Sequence, residues 1–472
     1  MAELTEHSQQ ALRRILLERQ SKHRVPGLYG GVMRDGGLLW GAGAGSADLG
    51  EPASAPTDDT QFLIASISKT FTAVLVMALR DEGKLSLDDT VDIHIPESEH
   101  TGITIRQMLS HVTGMQREPV GDIWDTLTYP DRTQLVEGWS QADRILKPHH
   151  RWHYSNLVYA MLGEVVTRLD GRDWAESLQA RILDPLGMRR TTVGFSGDHA
   201  TGYYVPPFSD VPVAEPVLDI LALASAGALA STPRDLATWA AFLADPTSEV
   251  LSPDTVDEMC QPQTMADLET WQLAWGLGFM LLRTGDRVLV GHTGGMPGHI
   301  TGLFVERQAK TAGIALMNST SAPDPAALAA ELAAYVMDNE PADPELWVPG
   351  TEVPAELRGV LGRWYSEGQP FTFSVRQGRL EARGETAPEH RPPSVFVKVA
   401  DDLYRTESGR ETGELLRVTR DESGAVTKMN WATYLVTREP YAFGEWLNDS
   451  VPTDALLHGT KGGPGPQGPD PP

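Results

Sequence analysis

Residues 62–79 read FLIASISKTFTAVLVMAL, and this stretch constrains the fold more than any other. Apolar and small residues run through it with no polar face, so a helix made from it must be buried on all sides. Lys69 nevertheless sits inside it, with Ser66 three residues before. An ammonium group taken out of water is costly unless it is partnered or loses its proton. On a helix, residues i and i+3 share a face, so Ser66 Oγ and Lys69 Nζ can meet. A partly neutral amine can take the serine proton, which makes the two a nucleophile pair. If Ser66 opens the helix, its hydroxyl also lies at the positive end of the helix dipole. The plainer alternative is a capping serine and a lysine whose stem lies along apolar surface. Ser-x-x-Lys occurs once in the chain.

The rest of the chain supplies the frame. At 472 residues, two or three domains are expected. A polar helix pattern over the first 25 residues is followed by LYGGVM and LLWGAGAG around Arg34-Asp35-Gly36-Gly37, a hairpin signal. Helix patterns cover 68–82, TIRQMLSHV, 156–169, 173–183 and 235–244. Strand patterns cover 287–292, 300–306 and 313–318, and PDPAALAAELAAYVMD closes the region as a helix. That order predicts an α+β domain over 1–340, with a sheet built from both ends of the domain and a helical region inserted between. Prolines mark 341–354 as a linker. From 355 to 447 a two-residue period takes over, which predicts a small antiparallel β-barrel. GTKGGPGPQGPDPP, within 448–472, is predicted to be a disordered tail.

Two further motifs carry chemistry. Tyr154-Ser155-Asn156 lies at a loop-to-helix junction, where side chains can project into a cleft or simply cap the helix. His292-Thr293-Gly294-Gly295 ends the apolar strand RVLVG, and its glycines let another backbone approach closely. His100-Thr101-Gly102 repeats the triplet but follows an acidic loop, and reads as surface. His149, His150 and His153 lack the spacing and the accompanying carboxylate of a metal site. No cofactor is expected.

Ser66-x-x-Lys69, Tyr154-x-Asn156 and His292-Thr293-Gly294, in that order, resemble the penicillin-recognising serine hydrolases: class C β-lactamases, DD-peptidases, D-aminopeptidases and related esterases. FLIASISKTFTA, TIRQMLSHVTGM, WHYSNLVYAMLGEVV and AGALASTPRDLATW resemble that family's framework. The resemblance implies a β-lactamase/transpeptidase-like fold over the first domain. It implies Ser66 as nucleophile, Lys69 as its base, and Tyr154 as partner base or proton relay. Asn156 would bind the substrate amide, and the Ser66 and Gly295 N–H groups would form the oxyanion hole. The 291–296 strand would pair with an extended substrate. His292 stands where β-lactamases carry a carboxylate-binding lysine, and histidine there is commoner in esterases, D-aminopeptidases and acyl transferases.

The β domain resembles the lipocalin-like module of some relatives. The combination is similar to penicillin-binding-protein-type thioesterases, which release or cyclise nonribosomal peptides from a carrier protein. Arg438 in YLVTREP would then be a candidate for a substrate carboxylate or carbonyl. The expected partner is a small peptide or acyl substrate, carried as a thioester on a carrier protein in the cyclase reading. Plain hydrolysis, by a D-aminopeptidase, DD-peptidase or carboxylesterase, uses the same residues. A binding protein that keeps the fold without turnover is the third reading, and the presence of Ser66, Lys69 and Tyr154 weighs against it.

A net charge of −25 leaves no basic footprint for nucleic acid or anionic membrane. No stretch has the length of a membrane span or the pattern of a signal peptide. A single cysteine, Cys260, fits a reducing compartment, so a cytoplasmic protein is expected.

Overall fold

The computed structural model describes residues 3–50, 54–343, 346–350, 352–388 and 391–441. The expected tail at 448–472 and the last residues of the β domain lie outside the described residues. The chain divides into two compact units after Asp343.

In the first unit, helix α1 (Glu6–His23) is followed by strands β1 (Gly27–Arg34) and β2 (Gly37–Gly45). Their register closes with Arg34 opposite Gly37, so Asp35 and Gly36 form a two-residue turn. Both have positive φ, +50° and +87°, the pairing that a mirror-image hairpin turn requires. Helices α2 (Ser68–Asp81), α3 (Asn156–Asp170) and α4 (Pro233–Ala244) fall in the middle of the chain. Six more strands follow: β3 (Thr264–Met265), β4 (Leu273–Trp275), β5 (Met280–Thr284), β6 (Arg287–Met296), β7 (His299–Glu306) and β8 (Thr311–Met317). Helix α5 (Pro325–Asn339) ends the unit.

The main sheet runs β2-β1-β8-β7-β6-β5-β4-β3, antiparallel throughout. The N-terminal pair docks on β8, with Leu28 opposite Met317, so both ends of the unit build one sheet. Strands β3 to β5 extend it beyond the three closing strands expected from the sequence. β3 and β4 pair over only two or three residues, too few to show a period.

Each sheet face has its own core. Leu12 and Leu16 of α1 join Leu328, Leu332 and Val336 of α5 over Leu28, Val32 and Phe304. The opposite face packs Tyr29, Met33, Leu303 and Ile314 against α4 and the helical region. There Phe71 of α2 stacks on Trp239 of α4 at 3.9 Å. Helix α2 buries nearly its whole length, Lys69 included.

The second unit is a closed eight-stranded antiparallel barrel. Its strands are β9 (Gly362–Ser366), β10 (Gln369–Arg376), β11 (Arg379–Gly384), β12 (Ser394–Ala400), β13 (Leu403–Ser408), β14 (Leu415–Arg420), β15 (Val426–Trp431) and β16 (Tyr434–Thr437). β16 returns to β9, with Thr437 opposite Tyr365, and so removes the open edge. Trp364, Phe373, Phe396, Leu416, Met429 and Trp431 fill the inside.

Arg438 lies just past β16. Its guanidinium donates to the carbonyls of Arg363 at 2.9 Å, Gly359 at 2.8 Å and Leu361 at 3.0 Å. It also lies 3.8 Å over the Trp364 ring. These bonds satisfy carbonyls in and just before the barrel's first strand, so the group fastens the barrel.

Candidate active site

Ser66 does not open α2. It sits in a single tighter turn, Ala65–Ile67, that feeds into the helix at Ser68. Ala65 has φ of +47°, a left-handed conformation that a residue with a side chain adopts only at a cost. The kink presents Ser66 at the mouth of a cavity, while Ser68 faces inward and accepts the Leu229 N–H.

Lys69 is fully buried, and its Nζ has three partners: Ser66 Oγ at 3.0 Å, Asn156 Oδ1 at 2.8 Å and the Ala226 carbonyl at 2.6 Å. Burial is the main cause that pulls the Lys69 pKa well below that of a free lysine. The Glu118 charge opposes this and the Arg117 charge reinforces it. The partner set decides how a neutral amine would point. The amide and carbonyl oxygens can only accept, so they take the two remaining N–H groups. The lone pair is left for the Ser66 hydroxyl, whose proton can turn toward it.

Ser155 explains how Tyr154 and Asn156 are placed. It caps α3, accepting the Val158 N–H, and its hydroxyl donates to the Gln116 carbonyl at 2.7 Å. With the middle residue spent on the cap, its two neighbours are free for the cleft. Asn156 Nδ2 donates to Glu118 Oε1 at 2.7 Å, which fixes the amide so that its oxygen faces Lys69. Burial pushes the Tyr154 phenol up, against opposing pulls from Ser66 and Arg117, so it stays protonated at neutral pH. Its hydroxyl has no hydrogen-bond partner among the described residues.

Behind Tyr154 lies His111, which is fully buried. Its ring stacks on Tyr154 at 4.4 Å, and its Nδ1 accepts the Ser155 N–H at 3.1 Å. On the outer side the Arg117 guanidinium covers the same ring at 4.9 Å. Tyr154 is therefore clamped between an imidazole and a guanidinium.

Strand β6 forms the opposite wall. Its pairing with β5 ends at Gly291, opposite Met280, while its pairing with β7 continues to Met296. Residues 292–296 therefore keep one edge unpaired, the geometry needed to add an extended peptide. A Cβ on Gly294 would fall 2.1 Å from the Ile64 carbonyl oxygen, so only glycine lets β6 lie against the segment that carries Ser66. Gly295, one residue on, lines the cavity with Ser66 and Thr293.

His292 is buried, and its Nδ1 donates to the Thr293 carbonyl at 2.5 Å. Burial and the nearby Lys69 pull its pKa down to about 3, so the ring is neutral. Its Nε2 has no partner among the described residues and keeps a lone pair.

The cavity measures about 430 Å³. Trp124, Trp152 and Trp275 give it an aromatic wall, and Arg117, Glu118, Leu273 and Met280 complete the lining. All the first-unit residues expected from sequence meet here. Arg117, Glu118 and His111 were missed, because the contacts of His111 and Glu118 with the Tyr-x-Asn segment cross about forty residues of irregular chain. Among the described residues no group of three His, Cys, Asp or Glu side chains could hold a metal ion. No helix among them is long and apolar enough to cross a membrane.

Comparison with known proteins places these features. The family model described as Beta-lactamase matches residues 12–337, and a domain of unknown function, DUF7586, matches 353–438. Beta-lactamase-like protein 2 of Dictyostelium discoideum is 29% identical over 239 residues, which is 48% of this chain and 43% of that protein. The chain spans about half the length of the first curated relatives it matches. Among solved structures, SurE with D-Leu superposes with a TM-score of 0.56 at 25% identity, covering 92% of this chain and 100% of that one. D-amino acid amidase from Ochrobactrum anthropi SV3, complexed with L-phenylalanine amide, superposes at 0.59 and 25% identity, covering 70% and 96%.

Proposed function

Because this chain belongs to the Beta-lactamase family and carries that family's serine hydrolase fold, we propose that it transfers acyl groups through an ester on Ser66, from peptide-type donors with a D-configured residue at the reacting carbonyl. The observation that carries this reading is the three-partner setting of Lys69, which leaves its lone pair no acceptor role except toward Ser66.

In this reading neutral Lys69 takes the Ser66 proton as Oγ attacks the donor carbonyl. The Ser66 and Gly295 N–H groups hold the developing oxyanion. Tyr154, kept protonated by burial, relays a proton to the leaving group. The donor backbone lies along the open edge of 292–296, and its side chain meets the tryptophan wall. A neutral His292 brings no charge to bind a carboxylate, so β-lactam hydrolysis is expected to be weak. Support for the donor class comes from the likeness to D-amino acid amidase and to SurE with D-Leu.

A second reading follows from coverage. The SurE likeness spans 92% of this chain, barrel included, whereas the amidase likeness stops at 70%. A neighbour that matches both units fits the reading of catalytic domain plus barrel as a stand-alone thioesterase of the penicillin-binding-protein type. A carrier-bound peptidyl thioester would acylate Ser66, and an amine of the same peptide would resolve the ester by cyclisation.

One panel separates these readings, run with purified protein and its Ser66→Ala variant. It holds a peptidyl thioester with a free N-terminus and a D- or L-terminal residue, a D-amino-acid amide, a p-nitrophenyl ester and a chromogenic cephalosporin. Turnover of the amide or ester selects hydrolysis, and cyclic product from the thioester selects cyclisation. Turnover of the cephalosporin alone would contradict both.

A further inference from the structure

The tryptophan wall of the cavity carries hydrogen-bond donors with nothing to bind. Leu273 and Trp275 alternate along β4, so their side chains leave the same face of the strand, and both line the cavity. Trp275 is buried, and its ring lies 5.2 Å from that of Trp152 and 5.3 Å from that of His292. The indole Nε1 atoms of Trp152 and Trp275 are both buried, and neither has a partner among the described residues. An indole N–H can only donate, so each asks for an acceptor. Two acceptors in the same lining are also unmatched among the described residues. One is His292 Nε2, whose lone pair is fixed by the Nδ1–H bond to the Thr293 carbonyl, and the other is Glu118 Oε2. Buried polar groups without partners are costly to keep, unless a ligand supplies the partners.

We propose that this wall is a subsite for a primary carboxamide, so that the preferred donors carry an Asn- or Gln-type side chain on the D-configured residue that acylates Ser66. A carboxamide offers one oxygen with two lone pairs and one nitrogen with two N–H donors. The wall offers the converse, two N–H donors on Trp152 and Trp275 and two lone-pair acceptors on His292 and Glu118. A carboxylate of the same shape would leave both acceptors without a donor and bring a second negative charge into the lining. A hydrocarbon or phenyl side chain would fill the space and leave all four groups unmatched. A site that hydrogen-bonds part of its substrate rejects the analogue lacking that part far more strongly than an apolar pocket does.

This inference rests on the reading of Ser66 as nucleophile, which labelling by a fluorophosphonate, read by peptide mass, checks separately. The probes are N-acetylcysteamine thioesters of N-acetyl-D-glutamine, N-acetyl-D-methionine and N-acetyl-D-glutamate. Methionine matches the length of glutamine without the amide, and glutamate matches its shape with a charge. Thiol release gives kcat/KM for wild type, Trp275→Phe and Trp152→Phe, with the rate in Ser66→Ala subtracted. Each phenylalanine keeps a ring in the wall and removes one N–H. The expected result is a wild type that prefers the glutaminyl probe to either other at least tenfold, with that ratio falling at least fivefold in each variant. If Trp275→Phe fails to fold, Trp152→Phe, changed at a half-buried residue, decides alone. A wild type without that preference overturns the proposal, and so does one that favours the glutamyl or methionyl probe. A ratio that survives intact in either folded variant also overturns it, and makes the indoles an apolar wall only. A Ser66 that takes the label while no probe is turned over overturns the carboxamide subsite and leaves the nucleophile standing. No label at Ser66 overturns both.

Discussion

Lys69 Nζ has three partners, and only Ser66 can change from acceptor to donor. Replacing Lys69 with Met should therefore remove the base while keeping the stem's packing. The expected loss is about 10³-fold in kcat/KM, the range for a missing general base, measured by steady-state kinetics on whichever ester or amide is turned over. The same residue sets the pH profile. Acylation needs the neutral amine, so kcat/KM should rise with pH through the depressed Lys69 pKa. The plateau should be reached well below the 10.5 of a free lysine. A limb that titrates at the ordinary lysine value would contradict the burial argument. Ser66, Lys69, Tyr154, Asn156 and His292 were legible in the sequence because each sits in a short motif beside a strongly periodic element. Glu118 was not, since its meaning depends on where Asn156 lies across the fold.

At the scale of elements, the close approach of β6 to the Ser66 turn is the feature most open to test. Gly294→Ala would drive a Cβ to 2.1 Å from the Ile64 carbonyl and 2.5 Å from Thr301 Oγ1. Relief requires one backbone to move, and a shift near 1 Å at a reacting serine can cost about 100-fold in rate. Kinetics of the variant should show that loss with the far-UV spectrum unchanged, while full activity would mean the approach is irrelevant to the site.

In the barrel, Arg438→Ala strands three carbonyls and uncovers Trp364, with an expected cost of about 2 kcal/mol in the unfolding free energy. If melting were unchanged and activity fell instead, Arg438 would serve the substrate and not the barrel. The barrel itself was legible from its two-residue period. The place of Arg438 was not, because an arginine after a strand reads the same whether it meets a ligand or its own backbone. Strands β3 and β4 escaped for a different reason: with two or three paired residues, their positions come from the edge of β5 and not from any local preference.

For the whole molecule, buried neutral histidines tie stability to pH, and burial holds the pKa of His111 well below the ordinary value. His292 and His299 both have pKa values lowered to about 3, chiefly by burial. The folded state resists a proton that the unfolded chain accepts near 6.5. Their contribution is complete above pH 6.5 and is lost as pH falls from there toward 3. Within that window each should cost about 1.4 kcal/mol per pH unit. Denaturant titrations at pH 7, 6, 5 and 4 should show this slope, and His299→Gln should reduce it by about one proton. An unchanged slope would place the acid sensitivity elsewhere.

The account as a whole depends on one atom, Ser66 Oγ. The most direct measurement is intact-protein and peptide mass after exposure to a fluorophosphonate. A single adduct on Ser66 in wild type, none in Ser66→Ala, and labelling slowed about 10³-fold in Lys69→Met is the predicted result. An adduct that persists in Ser66→Ala, or forms on another serine, would contradict it.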